Sequence, residues 1–151
     1  MRNRRIPETV TIPRLGYSKP EIDMLGRLLT HPDLATATSD EDRTAWGLHT
    51  TIESLRKGDL AIWIPIIDGD IAGLIWARFM GPNIVTGMWG FLKEKRYGAM
   101  HALALVLADI WANWKPKAIM VFVAENNVRS YAGAYRAGFR PQGKIKNYMT
   151  I

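Results

Sequence analysis

The chain contains no cysteine, which excludes a disulfide framework, thiolate chemistry and zinc–thiolate sites. Histidine is almost as scarce, with three in 151 residues, and no metal-ligand motif is expected. No apolar run approaches the ~20 residues of a membrane-spanning helix. The opening MRNRRIPETV carries charge without an apolar core, so it does not read as a secretory leader. The expectation is a cytoplasmic protein with no membrane partner. Acidic residues run short late in the chain. Residues 93–151 hold three Asp/Glu against ten Lys/Arg, whereas residues 1–92 hold eleven against ten. Such an excess suits an anionic partner or a solvated face.

What is present is core-forming material. Hydrophobic residues make up 48% of the chain and six are tryptophan, enough for one globular domain. Residues 1–7 read as a basic arm and 8–151 as the domain. Pro13 makes Glu8–Leu15 at most an edge strand. Pro20 near the first helical position, with Ile22, Leu25, Leu28 and Leu29 at helical spacing, predicts a helix ending at His31–Pro32. Ser39, followed by Asp40, Glu41 and Asp42, predicts the start of a second helix running to Gly58. The period then shortens. LAIWIPII (Leu60–Ile67), IAGLIWARFM (Ile71–Met80) and IVTGMWGFL (Ile84–Leu92) predict an antiparallel meander, punctuated by Asp68-Gly69-Asp70 and Gly81-Pro82-Asn83. A helix over Tyr97–Trp114, apolar nearly all round, should be largely buried. Pro116 stops it. Lys117–Ala124 should then lie parallel to the strand before that helix, because a helical crossover joins them. A short helix over Val128–Ala137 ends at Gly138, and Gly143–Ile151 alternates as a closing strand. The fold class expected is α+β, with a mixed, mostly antiparallel central sheet flanked by helices.

Few side chains advertise chemistry. His31, His49 and His101 sit where capping or packing explains them. Glu125 reads first as a charge at a strand end, and second as a base. Lys93, Lys95 and Arg96 suit either a phosphate grip or a solvated loop. The arm Arg2–Arg4–Arg5 suits a frayed terminus first, and second a contact with nucleic acid or an acidic protein. No nucleic-acid-reading motif accompanies the charge.

The element order, with N-x-x-S ahead of A-G-F, resembles the GNAT superfamily of acyl-CoA-dependent N-acetyltransferases. Motif-level matches lie in Val85–Phe139. The resemblance implies a splayed strand pair that admits the pantetheine arm of acetyl-CoA. Trp89–Leu92, including Phe91 and Leu92, would pair with its amides, and Ala124–Asn127 would lie across the gap. Asn127 matches the family's asparagine at the start of the short helix, and Gly138–Phe139 its Gly-Phe closure. Lys95-Arg96-Tyr97-Gly98-Ala99-Met100 stands where the family reads Arg/Gln-x-x-Gly-x-Gly/Ala around the pyrophosphate, with Met100 in place of a small residue. In the same comparison the family's general-acid tyrosine falls at Ala134. Tyr131 and then Tyr135 are the nearest alternatives, and the strand Ile84–Leu92 offers no carboxylate or histidine as a base.

Two functions follow. One is an N-acetyltransferase that uses acetyl-CoA on an amine of a small molecule or protein. The other is a GNAT-fold protein without chemistry, acting as a structural or binding component, as in the small GNAT-like proteins of bacteriophages. Its basic face would then meet an acidic protein or a larger viral assembly.

Overall fold

The computed structural model describes residues 5–34, 45–123 and 127–143. The expected cap at Ser39 and all but the first residue of the closing strand Gly143–Ile151 lie outside them, as do Arg2, Arg4 and Glu125.

The N-terminal strand is shorter than the sequence suggests: β1 is Val10–Thr11. Helix α1 (Lys19–Leu29) starts with Pro20 in its first turn. Ser18 does not cap it through its side chain; its hydroxyl donates to Glu21 Oε1 at 2.6 Å, and the Gly16 N–H donates to the same carboxylate. A 3₁₀ turn at Pro32–Leu34 follows, and α2 spans Ala45–Lys57.

The meander breaks where two residues forbid a continuous ladder. Leu60–Ile67 divides into β2 (Leu60–Trp63) and β3 (Ile66–Ile67), because Pro65 has no N–H to donate. Asp68 and Gly69 both take positive φ, 51° and 88°, as a tight two-residue hairpin requires, and lead into β4 (Asp70–Ile71). Ala72 then bonds back to the Pro65 carbonyl at 2.8 Å. Gly73 opens β5 (Gly73–Phe79), and a Cβ there would lie 2.1 Å from the Gly90 carbonyl oxygen. Only glycine fits that crossing. The outcome is two sheets, β1-β3-β4 and β2-β5-β6-β7, where β6 is Ile84–Phe91 and β7 is Ala118–Val121.

A 3₁₀ segment, Lys93–Gly98, joins β6 to α3 (Ala99–Asn113), and α4 spans Val128–Arg136. The pairing of β2, β5 and β6 is antiparallel; β7 joins β6 in parallel, as the α3 crossover demands. Strand alternation then divides the core. Leu103, Val106 and Ile110 of α3 belong to one buried cluster with Trp63, Ile75, Val85 and Phe91. Leu25, Leu28 and Leu29 of α1 belong to another with Leu60, Ile62 and Leu74. Helix α3 is less buried than its composition predicts. Leu105 and Trp111 stay 43% and 45% exposed, because a helix laid on a sheet hides one side and no described element covers the other. The indole of Trp63 is fully buried and donates to Asp109 Oδ2 at 2.9 Å.

Candidate active-site cleft beside β6

The backbone of β6 carries the clearest functional geometry. Met80 N–H donates to the Ile84 carbonyl at 2.9 Å, and Leu92 N–H donates to Ala72 at 2.7 Å. An antiparallel ladder alternates, so the even-numbered residues of β6 bond to β5. The odd-numbered ones, Val85, Gly87, Trp89 and Phe91, turn their peptide groups towards β7. Strand β7 meets only the first half of that edge, and its last rung is Gly87 opposite Val121. The N–H and C=O groups of Trp89 and Phe91 therefore have no backbone partner among the described residues. Peptide groups held on a rigid strand and left unpaired offer a hydrogen-bonding ladder to an extended ligand.

The wall nearest this edge comes from α4. Asn127 Oδ1 accepts the Ser130 N–H at 3.1 Å and caps the helix. At the other end Gly138, with φ +103°, bonds to the Tyr135 carbonyl at 3.1 Å, and Phe139 N–H bonds to Ala134 at 3.0 Å. This closure returns Phe139 to the sheet, where its ring lies 6.1 Å from that of Trp89. Ala134 is the buried position of α4, while Tyr131 and Tyr135 are each 51% exposed. Arg140 covers the Tyr135 ring at 3.9 Å.

The basic segment after β6 is a 3₁₀ helix rather than an open loop, and its first amides are occupied. Lys93 N–H donates to Asp33 Oδ2 at 2.9 Å, and Lys95 N–H to the Leu92 carbonyl at 2.9 Å. The Lys95 side chain is held by Asp70, Nζ to Oδ2 at 2.9 Å, which raises its pKa. The Tyr97 hydroxyl donates to Asp68 Oδ2 at 2.5 Å, and Arg5 lies over the Tyr97 ring at 4.2 Å. That hydrogen bond raises the Tyr97 pKa and, with the Thr9 and Glu8 N–H groups, lowers that of Asp68. Gly98 has a packing role: a Cβ there would lie 2.6 Å from Ile67 Cδ1. Ala99 and Met100 pack against the α3-side core. Arg96 is half-buried and has no ion-pair partner among the described residues.

Phe91 ends β6 and leads through Leu92, whose N–H is taken by the Ala72 carbonyl, into the Lys95–Met100 segment, while Asn127 is held as the cap of α4. Sequence reasoning missed Asp33, Asp68 and Asp70. Asp68-Gly69-Asp70 reads as a turn, and nothing local reveals that its carboxylates reach a segment twenty-five or more residues on.

These features define the class: a single α+β domain with the GNAT fold. No protein-family profile matches the chain, and no curated protein does. Among solved structures it is similar to RimL, a ribosomal L7/L12 alpha-N-protein acetyltransferase in complex with coenzyme A, with a TM-score of 0.76 and 12% identity. That match covers 97% of this chain and 89% of RimL. Spermidine N-acetyltransferase from Vibrio cholerae, in complex with CoA and spermine, matches with a TM-score of 0.74 and 11% identity, covering 89% and 82% of the two chains. The N-acetyltransferase PseH of Campylobacter jejuni, in complex with acetyl coenzyme A, gives 0.67 and 9%, covering 91% and 93%. At these identities the likeness is one of fold.

Proposed function

We propose that the chain is an acetyl-CoA-dependent N-acetyltransferase acting on an amine. The observation that carries this reading is the free edge of β6 beyond the Gly87–Val121 rung. Trp89 and Phe91 present the donors and acceptors that an amide-bearing pantetheine arm needs, and the Trp89–Phe139 contact walls that edge. Arg96 and Lys93 have no ion pair among the described residues and can meet phosphate, with Lys95 available once Asp70 releases it. Acetyl-CoA supplies the activated thioester. The amine nitrogen displaces sulfur: one C–N bond forms, one C–S bond breaks, an amine proton passes to solvent and the thiolate takes a proton. Tyr131, and after it Tyr135, is the residue of choice for that last transfer. Titration calorimetry with acetyl-CoA, alongside release of the CoA thiol in the presence of amines, tests the reading. Absence of binding at millimolar acetyl-CoA would overturn it.

A second reading has its own observation. The inward position of α4 is Ala134, and Lys95 is already paired within the chain. A GNAT fold without chemistry, serving as a structural or binding component, possessed of a basic surface for an acidic partner or a bacteriophage particle, fits those two facts. Binding of acetyl-CoA decides between the readings.

A further inference from the structure

We infer that the acetyl acceptor is a small apolar amine bearing a carboxylate, of the α-amino-acid type, and that Arg78 receives the carboxylate. The inference rests on the acyl-transfer reading above and concerns the opposite side of the same cleft. The Lys93–Gly98 segment, α3 and Phe139 all lie on the sheet face made by the odd-numbered residues of β6. A cofactor seated against them leaves the amine one approach, over the even-numbered face. Helices α1 and α2 cover that face above Leu60, Ile62 and Leu74, the Pro32–Leu34 turn packs against β6 with Leu34 buried in the same cluster, and the beginning of β6 with β7 stays more exposed. Ile84 is 40% and Met120 41% exposed there, and Thr86 and Met88 are half-buried.

The register makes these residues neighbours. Thr86 lies between Arg78 on β5 and Met120 on β7, and Met88 lies beside Trp76. The surface is therefore apolar, with one exposed cation at its margin. Arg78 has no ion-pair partner, and the strands place no carboxylate on this face among the described residues. A polyamine or aminoglycoside carries several positive charges and needs carboxylates; here it would meet Arg78 instead. An amino acid satisfies both halves. Its carboxylate matches the guanidinium fork, and its side chain finds adaptable thioethers and an indole. Three residues of strand separate Thr86 from Trp89, about 10 Å. An arginine side chain and the carboxylate it holds are together about that long, which is the reach the proposal requires of Arg78.

The test measures kcat/KM, by CoA-thiol release, for leucine, methionine, leucinamide, spermidine and kanamycin, with acetyl-CoA binding followed separately by calorimetry. Leucine should exceed leucinamide at least tenfold, and spermidine and kanamycin should be inert. Arg78→Ala should bring leucine down to the leucinamide level, and Arg78→Lys should restore part of the difference. Arg78 is exposed, so both variants should fold; the leucine–leucinamide comparison on the unaltered protein stands without them. Preference for spermidine or kanamycin would overturn the inference while leaving acyl transfer intact. Equal rates for leucine and leucinamide would overturn the role of Arg78. Failure of acetyl-CoA to bind would remove the acyl-transfer reading itself, and the inference with it.

Discussion

Lys95 Nζ lies 2.9 Å from Asp70 Oδ2, so the lysine at the head of the segment proposed to meet phosphate is paired with a carboxylate of the β3–β4 hairpin. The Lys95 side chain is 15% exposed and that of Asp70 73%, which puts the buried end of the pair on the lysine. A phosphate approaching this segment competes with Asp70. Asp70→Asn should release the lysine and tighten acetyl-CoA binding several-fold, with a steeper dependence on salt. Arg96→Ala should weaken binding about tenfold, more than Lys95→Ala, if charge-assisted contact falls to the free guanidinium. Calorimetry at two salt concentrations reads all three, and weaker binding by Asp70→Asn would contradict the competition.

Gly98 predicts a stability effect in place of a purely functional one. A side chain there must displace the fully buried Ile67, with Cβ at 2.6 Å from Cδ1 and 2.9 Å from Cγ2. Gly98→Val should cost about 1–3 kcal/mol, the range for overpacking a filled core. Trimming the neighbour with Ile67→Ala in the Gly98→Ala background should recover part of the loss, and urea unfolding of the double-mutant cycle measures it.

Asp68 links stability to acid. Its carboxyl titrates below the usual carboxylate range, first because Tyr97 donates its hydroxyl and then because Thr9 donates its N–H. The unfolded chain binds that proton more readily, so the stabilisation is complete above the unfolded carboxylate range and is lost as pH falls through the lowered folded value. Tyr97 shifts upward through the same bond, and its contribution disappears only as pH rises through its raised value. Asp68→Ala should therefore melt below the unaltered protein at neutral pH. The gap between the two melting curves should begin to narrow below about pH 4 and close only below the lowered folded value, and a gap that stays constant into acid would contradict this assignment.

On α4, Asn127→Ala should cost about 1 kcal/mol through the lost Ser130 bond, whereas Asn127→Asp should preserve the cap. Tyr131→Phe should lower kcat about 100-fold if its hydroxyl protonates the leaving thiolate, with acetyl-CoA affinity unchanged. Unaltered kcat in both Tyr131→Phe and Tyr135→Phe would remove tyrosine from the mechanism.

Most of the architecture was legible because it depends on period and punctuation. Helical spacing from Ile22 to Leu29, the Asp68-Gly69 turn and the Asn127 and Gly138 caps are local signals, and the chain obeys them. The split of the meander was less visible. Pro65 stands inside the run read as one strand, and the need for a bare α-carbon at Gly73 arises from Gly90, a residue on another strand. The cleft was legible only through resemblance, since the end of pairing at Gly87 follows from how long β7 stays beside β6. The occupation of Lys95 and Tyr97 by Asp70 and Asp68 was invisible for the same reason: the carboxylates come from a hairpin remote in sequence.

The two neighbours of β6 also differ in when they can arrive. A short turn at Gly81–Asn83 lets β5 zip onto it along seven rungs, from Gly73–Phe91 to Phe79–Val85. Strand β7 must wait for the whole α3 crossover and then adds four. Non-local pairing forms late, because a long loop must close before it is rewarded. During synthesis the odd-numbered edge of β6 is thus bare along its full length, an open template for another unfinished copy. The same free edge proposed to hold a cofactor in the mature protein is, seconds earlier, a place where the nascent chain is prone to aggregate, and the speed with which Ala118–Val121 docks sets how long that hazard lasts.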